Sequence, residues 1–401
     1  MIETLMAYCA KPMEDYPLSG LRVLDLSQYV SGPYCAKLLA DFGAEVIKIE
    51  PPATGDISRQ YGPFPGDIPN IESSGLFLYL NTNKKSITLN LQSESGIEIL
   101  KQLSAQADVL VGNSGPGGLD CESLLELNPS LILTSISYFG QNGPYRDYKG
   151  SDIVAQALGG VMKLTGLPDR EPLKIAGPQA EYQAGLNAAV ATMAAIYFRD
   201  ETGMGQHIDV SVMEVLASIL EGALLSYAYD GTSRQRAGAR HPTVYPSTIL
   251  PCKDGYMHVD AGTDWGTFAR FVGIPELLDY EPAELRRKAE EIDALLIPWL
   301  AERTMEEIFQ GSQEWRLPFA MVLRASDLPG DPQFQARGFF LNIDHPVAGT
   351  LTYSGAPFKM DGSPPKTGRA PLLGEHNEQV YGDILGYSLR QIESLKANGI
   401  I

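Results

Sequence analysis

Short apolar segments alternate with helical patterns along the first third of the chain. Residues 21–26 (LRVLDL) predict a strand, residues 34–42 place apolar side chains at helical spacing, and residues 46–49 (VIKI) predict a second strand. A strand-helix-strand unit normally gives a parallel pair with a right-handed crossover. Because the pattern continues to a strand at residues 131–136, it predicts an α/β fold with an open parallel sheet covered by helices on both faces.

Ligands on such sheets bind beyond the carboxyl ends of the strands. Three polar loops follow predicted strands, at residues 27–33, 113–118 and 138–152. We expect the functional residues to come mainly from these loops and from the helices that follow them.

The second half of the chain changes in character. Residues 182–198 and 212–229 each predict a long apolar helix, and a polar, basic segment follows. A smaller unit then begins near residue 245, and a last helix is predicted near residues 375–385. The spacing of Ser95 and Glu98 predicts a capping box at the start of an earlier helix.

Charge and cysteine content exclude several classes of partner. The 401 residues include 31 Lys+Arg and 49 Asp+Glu, a formal net charge of −18, which disfavours nucleic acid and anionic membranes. No apolar run approaches the roughly 20 residues of a membrane span. The 4 cysteines are scattered, without a CxxC pair, so a cytoplasmic location is expected.

Familiar cofactor and hydrolase motifs are absent. The 5 histidines make no HxxxH or HExxH pair, and the chain has no GxSxG and no Walker motif. The loop after the first predicted strand, SQYVSGP, has one glycine instead of the GxGxxG fingerprint. The sequence therefore predicts no metal and no nicotinamide cofactor, and a nicotinamide oxidoreductase is the least favoured alternative.

A carboxylate and three lysines are the candidate chemical groups. Glu181 opens an otherwise apolar helix, where it is either a nucleophile for an acyl thioester or a simple helix cap favoured by the dipole. Lys84, Lys85 and Lys149 precede predicted strands or helices, where they either hold phosphates or are ordinary solvated side chains.

Motifs along most of the chain resemble the class III CoA-transferases, the carnitine-dehydratase/bile-acid-inducible group that includes formyl-CoA transferase. The matching stretches include GLRVLDLSQYVSGPYCAKLLADFGAEVIKIEPPATGD, LNTNKKSITLNL, GNSGPGGLD, NPSLILTSISYFGQNGPY, SDIVAQALGGVMKLTG and TGMGQHIDVSVMEV. HPTVYPSTILPCKDGY, DPQFQARGFF and APLLGEHNEQV continue the match toward the end of the chain. Their order and spacing carry the resemblance, since no single motif is as specific as a metal signature.

The resemblance implies a Rossmann-like large domain with an inserted small α+β domain, in an interlocked homodimer. The expected boundaries are residues 1–225 for the first part of the large domain, 226–244 for a linker and 245–325 for the small domain. Residues 326–401 are then the return linker and the rest of the large domain.

The implied reaction moves CoA from an acyl-CoA donor to a free, small carboxylic acid. A family aspartate attacks the thioester to give a mixed anhydride, and CoA then returns to give an enzyme-bound thioester. The aspartate lies four residues before a helix glycine; here Gly185 matches the glycine, and Glu181 occupies the aspartate position with one additional methylene. Nothing in the sequence singles out a particular acid.

The resemblance also implies a set of CoA-binding residues. They are Gln28, Val30, Ser31, Asn83, Lys84, Lys85, Asn113, Gly115, Lys149 and Ser151. An arginine common after the GPG turn is missing near Cys121, and the loop at residues 260–264 has only one glycine, so one phosphate contact and the closure of that loop are expected to differ.

Two alternatives stay within CoA chemistry. One is an acyl-CoA-binding homologue with lost or altered activity. The other is α-methylacyl-CoA epimerisation, which needs a base at the α-carbon; the racemases resemble GHD where this chain has Gly150-Ser151-Asp152. A serine hydroxyl is far too weak a base to replace that imidazole, so epimerisation is disfavoured.

Overall fold

A six-stranded parallel sheet forms the centre of the first structural unit, in the order β3-β2-β1-β4-β5-β6. The strands are β1 Arg22–Asp25, β2 Glu45–Glu50, β3 Lys85–Thr88, β4 Val109–Gly112, β5 Ile132–Ser137 and β6 Gln206–Ser211. The computed structural model describes residues 16–113, 120–241, 244–262 and 264–401. The predicted α/β class and parallel sheet are confirmed.

Both faces of the central strands β1, β2, β4 and β5 are buried, as expected of a parallel sheet, whereas the edge strand β6 is largely exposed over its first four residues. Val23 and Ile132 point into one apolar cluster, whereas Leu24 and Leu133 point into another on the opposite face. Helices cover both sides, as predicted.

Helices of very different length connect and follow the strands of this unit. They are α1 Ser31–Asp41, α2 Gly75–Leu80, α3 Glu94–Ser104, α4 Cys121–Leu127, α5 Asp152–Leu158, α6 Val161–Leu164, α7 Gln179–Thr202, α8 Val212–Ser218 and, after residue 337, α14 Asn377–Asp383 and α15 Leu389–Ala397. Of α6, only the first residue belongs to this unit. A hairpin of β10 Phe340–His345 and β11 Gly349–Ser354 packs with the buried Phe77 and Leu78 of α2.

The chain divides into two compact units. One contains the residues up to Val161 with Ile175–Glu221 and Gly338–Ile401, and the other contains Met162–Lys174 and Gly222–Arg337. The domain boundaries drawn from the sequence remain predictions.

The second unit has its own antiparallel sheet and its own core. Its sheet order is β7-β8-β9, with β7 Ser247–Pro251, β8 Tyr256–Asp260 and β9 Ala320–Met321. Its helices are α9 Glu221–Asp230, α10 Trp265–Val272, α11 Ala289–Ala301, α12 Met305–Glu314 and α13 Pro332–Arg337. The first residue of α9 belongs to the other unit. Trp265 and Phe268 stack in this core, and the Trp265 indole donates a hydrogen bond to the carbonyl of Leu277 at 3.0 Å.

Three local predictions were wrong. Residues 212–229 form two helices, since the first one ends at Ser218, whose hydroxyl donates to the Val215 carbonyl at 2.7 Å, and the next begins at Glu221. Helix α3 is capped by Ser93, whose side chain accepts from the Gly96 N–H at 3.0 Å, and not by Ser95. The helix near residues 375–385 is not the last, because Ser388 and Gln391 form a capping box that starts α15.

No single helix in the described part of the chain has the length and hydropathy to cross a membrane; one consecutive bent pair, Val212–Ser218 with Gly222–Asp230, meets those criteria only when joined.

Candidate active site

A cavity of about 340 Å³ opens beyond the carboxyl ends of β1, β4 and β5. The residues around it come from the end of β5, from the loops that follow these strands, and from the starts of α1, α7 and α8. They are Tyr29, Ser31, Asn113, Ile136, Ser137, Tyr138, Phe139, Arg146, Asp147, Tyr148, Lys149, Gly150, Glu181 and Val212. The cavity therefore lies where the sheet topology predicts a ligand.

Glu181 places a nearly buried carboxylate in this cavity; the residue is 3% exposed. One carboxylate oxygen, Oε2, accepts a hydrogen bond from the backbone N–H of Ser31 at 3.2 Å. The other, Oε1, accepts one from the hydroxyl of Tyr138. Both bonds come from other segments, so Glu181 does more than cap its own helix.

The first turn of α7 is satisfied by a different carboxylate. Asp152 Oδ1 accepts from the N–H of Ala180 at 2.9 Å, and Asp152 Oδ2 accepts from the Gln156 side chain at 2.6 Å. Because Asp152 already satisfies an N–H of this turn, the Glu181 carboxylate is free to face the cavity. The helix dipole favours a negative charge at this position.

Gly185 explains how α7 reaches the loop after β1. A Cβ at this position would lie 2.4 Å from the Ser31 carbonyl oxygen and 3.2 Å from the Tyr34 Cβ. Only glycine permits this approach, which brings the Ser31 N–H within reach of Glu181 one turn earlier. The glycine four residues after the carboxylate thus has a packing function.

Buried ion pairs fix the position of the loop after β1. Lys48 lies 2.7 Å from Asp56 and 3.7 Å from Asp25, and it donates to the Ser27 carbonyl. All three side chains are fully buried. Burial opposes ionisation of Asp25, but the charges of Lys48 and Lys84 outweigh it and hold the pKa of Asp25 below its usual value.

The same network fixes an unusual backbone conformation at Tyr29. This residue has φ of +72°, and its N–H donates to Asp56 Oδ1 at 3.1 Å. A large non-glycine residue in this region is strained and persists only where its surroundings hold it. Burial, followed by the nearby charge of Glu181, raises the pKa of the Tyr29 hydroxyl.

Several predicted CoA-binding residues meet at this cavity. Gln28 and Asn113 bond to each other: the Gln28 N–H donates to Asn113 Oδ1 at 2.9 Å, and the Asn113 amide donates back to the Gln28 carbonyl. Ser31, Asn113 and Lys149 line the cavity, whereas Gln28 and Val30 are not among the lining residues; Val30 is buried just before α1. Ser151 precedes α5 and is not among the lining residues.

Lys84 belongs to the buried scaffold. Its ammonium donates to Asp25 at 2.8 Å, to the Pro33 carbonyl at 2.8 Å and to Asn81 at 2.9 Å. Those bonds use all three N–H donors of a lysine whose side chain is fully buried, so none is left for a phosphate. Burial is the largest influence on this lysine and lowers its pKa to about 8.

Asn83 and Lys85 lie outside the set of lining residues. The Asn83 amide donates to Asp41 at 2.6 Å, and Lys85 lies 2.7 Å from Glu45. Gly115 lies outside the described residues, so its predicted contact stays a prediction.

Tyr138 and Arg146 are two of the ten lining residues that were not predicted from the sequence. Tyr138 bonds to Glu181, and Arg146 adds a cation near Lys149. Both fall in the loop at residues 138–152, which was predicted to be functional as a segment. No sequence signal distinguishes them individually, because their importance depends on contacts with distant residues.

No group of three or more His, Cys, Asp or Glu side chains suited to a metal ion occurs in the described ranges.

Comparison with known proteins gives the family of the chain. The model for CoA-transferase family III matches residues 18–377. The chain belongs to CoA-transferase family III. It is 34% identical to succinyl-CoA–D-citramalate CoA-transferase from Chloroflexus aurantiacus over 96% of this chain and 98% of that protein. It is 33% identical to formyl-CoA:oxalate CoA-transferase from Streptomyces avermitilis over 96% of this chain and 99% of that protein.

Structural comparison gives the same family. A CAIB/BAIF family protein from Brucella suis superposes with a TM-score of 0.84 at 33% identity, covering 92% of this chain and 100% of that one. The resemblance inferred from the sequence motifs is thereby confirmed, and CoA thioesters are the substrates that this family uses.

Proposed function

We propose that this CoA-transferase moves CoA from an acyl-CoA donor to a small free carboxylic acid, with Glu181 as the covalent nucleophile. The observation that carries the proposal is a cavity-facing carboxylate whose two oxygens are held by separate donors, Ser31 N–H and Tyr138 OH. A carboxylate fixed in this way is oriented for attack on a thioester carbon, and orientation supplies much of the rate in such reactions.

The covalent route has four steps. Glu181 attacks the donor thioester carbon, which releases CoA thiolate and leaves a mixed anhydride. The thiolate attacks the Glu181 carbonyl carbon, which releases the donor acid and leaves a glutamyl thioester. The acceptor carboxylate attacks that thioester, and the released thiolate takes the acceptor acyl group, which regenerates Glu181.

Two cations line the cavity of a protein whose net charge is −18, together with two carboxylates. Arg146 lies 3.2 Å from Asp147, and Glu181 is the proposed nucleophile, so Lys149 is the lining cation that we propose for an anionic substrate. We assign Lys149 to a CoA phosphate, and Gln28, Val30, Ser31, Asn113, Gly115 and Ser151 to the CoA cleft. Asn83 and Lys85 remain candidates from the sequence resemblance alone.

Substitution of Glu181 tests the nucleophile. Glu181→Gln keeps the shape and loses the nucleophilic oxygen, so CoA exchange should disappear while acyl-CoA still binds. Glu181→Asp shortens the side chain by about 1.5 Å and should retain part of the activity. Glu94→Gln, an exposed first-turn glutamate of α3, is the matched control and should exchange CoA normally.

The outcome that refutes the proposal is full exchange by Glu181→Gln. The helix-cap alternative predicts that result, together with a loss of about 0.5–2 kcal/mol in the free energy of unfolding.

Salt dependence tests the assignment of Lys149. Lys149→Ala should raise the KM for acyl-CoA more at low than at high ionic strength, because salt already screens a charge contact. Lys101→Ala in α3 is the control and should leave KM unchanged. An unchanged KM in the Lys149 variant at all salt concentrations would remove that residue from the phosphate site.

We also propose an interlocked homodimer with an inserted small domain, on the family resemblance. Intertwined subunits have no stable folded monomer, so sedimentation should give a dimer mass at sub-micromolar concentration. A folded monomer would contradict this assembly.

A further inference from the structure

Tyr138 is held rigidly against Glu181. It follows β5 directly, its carbonyl accepts from the Met213 N–H at 3.1 Å, and its hydroxyl donates to Glu181 Oε1. Its ring occupies the space beside Gly150, where a Cβ would lie 2.2 Å from the ring carbon Cγ. The hydroxyl position is therefore set by the backbone on one side and by ring packing on the other.

The two oxygens of Glu181 have unlike donors. Oε2 has the Ser31 N–H at 3.2 Å, near the long end of the range for such bonds, whereas Oε1 has the tyrosine hydroxyl in close contact. When Oε2 attacks a thioester, Oε1 becomes the carbonyl oxygen of the resulting anhydride. The Tyr138 hydroxyl then already points at the atom on which charge develops next.

We propose that the Tyr138 hydroxyl is the oxyanion donor for the two steps in which a nucleophile adds to the Glu181 carbonyl carbon. This inference rests on the proposed function. In the first of these steps, CoA thiolate adds to the anhydride, the carbonyl π electrons move to Oε1, and collapse expels the donor carboxylate. In the second, the acceptor carboxylate adds to the glutamyl thioester, and collapse expels CoA thiolate.

Tyr138 keeps its proton throughout. Burial is the main reason, and the charge of Glu181 adds to it, so the pKa of the tyrosine is raised well above its usual value. The hydroxyl thus acts as a fixed donor and does not transfer a proton, which suits a reaction whose nucleophiles are already anions.

The assignment predicts a selective defect. Attack of Glu181 on the donor thioester places charge on the substrate oxygen, whereas the Tyr138 hydroxyl donates to Oε1 of Glu181. Without the hydroxyl, the anhydride still forms, but its conversion to the glutamyl thioester slows. Water then competes for the longer-lived anhydride, so acyl-CoA is hydrolysed to acid and CoA at the expense of transfer.

The test compares Tyr138→Phe with Tyr145→Phe. Phenylalanine keeps the ring beside Gly150, and Tyr145, whose ring stacks on Tyr148 at 4.9 Å, is the hydroxyl-deletion control from the same loop. For Tyr138→Phe we expect kcat to fall about 100-fold, as for the loss of one oxyanion donor, with little change in the KM for acyl-CoA. Hydrolysis relative to transfer should rise, and the control should match the parent enzyme.

Hydroxylamine trapping provides a measurement that does not depend on the folded fraction. In Tyr138→Phe, the ratio of donor-acyl hydroxamate to glutamyl hydroxamate should rise, because anhydride accumulates ahead of the thioester. Unchanged kcat and ratio, or transfer and hydrolysis falling together, would overturn the role of Tyr138 while leaving Glu181 as nucleophile. Exchange by Glu181→Gln would instead overturn the proposed function on which this role rests.

Discussion

Gly185→Ala tests the packing that brings Ser31 to Glu181. The new methyl group would lie 2.4 Å from the Ser31 carbonyl oxygen, whereas ordinary contacts begin near 3.4 Å. Helix α7 and the loop must therefore separate by about 1 Å, since a backbone oxygen cannot swing away as a flexible side chain can. Overpacking lowers the free energy of unfolding by about 1–3 kcal/mol, and the better helix propensity of alanine offsets about 1 kcal/mol of this loss.

The effect on activity should exceed the effect on stability. A displacement of about 1 Å at a reacting carboxylate reduces kcat by about 100-fold. Urea unfolding gives the first quantity and steady-state CoA exchange gives the second. The control is Gly382→Ala in α14, where the nearest atom lies 3.9 Å away, and it should be neutral or slightly stabilising with normal kcat. Normal kcat and stability in Gly185→Ala would refute this account of the site.

Further predictions concern the scaffold. Lys84→Met should lower the free energy of unfolding by about 3 kcal/mol in urea denaturation, because it leaves the buried Asp25 short of one partner. Lys85→Met, which breaks a half-exposed pair, should cost less than about 1 kcal/mol in the same assay. Arg369 lowers the pKa of Glu375 to about 2 from an ordinary 4.5, so the stability that this carboxylate contributes is complete above pH 4.5 and lost toward pH 2. Glu375→Gln should therefore be less stable than the parent at neutral pH and converge with it as pH falls through that window; an equal difference at every pH would contradict the pairing.

The centre of the sheet could be predicted because its strands carry short apolar runs. Strands were predicted at residues 21–26 and 46–49, where the structure has Arg22–Asp25 and Glu45–Glu50, and the helix between them follows from periodicity. The break after α8 was harder to predict, because the apolar pattern of residues 212–229 continues across it. The predicted N-cap of α3 was wrong because Ser93 and Ser95 are distinguished only by their backbone angles, which the sequence does not show.

Only the residues of the candidate site that lie in recognisable motifs could be predicted from the sequence. Glu181 was proposed from its place at the start of a helix and from the family resemblance, which also paired it with Gly185, and the structure gives the spacing of the two a packing reason. The burial of Lys84 in an ion network could not be predicted, because a lysine beside a strand has the same sequence pattern whether it is solvated or buried. Tyr138 was missed because its bond to Glu181 joins residues 43 positions apart.

The most direct test of the central claim follows oxygen atoms. If the acceptor acid is labelled with heavy oxygen in its carboxylate, its attack on the glutamyl thioester makes a labelled oxygen the bridge of the second anhydride. CoA thiolate then takes the acyl group, and the bridging oxygen stays on Glu181. Peptide mass spectrometry after turnover should find the label on the peptide that contains Glu181 and on no other. Complete transfer with no label on Glu181 would contradict the covalent mechanism.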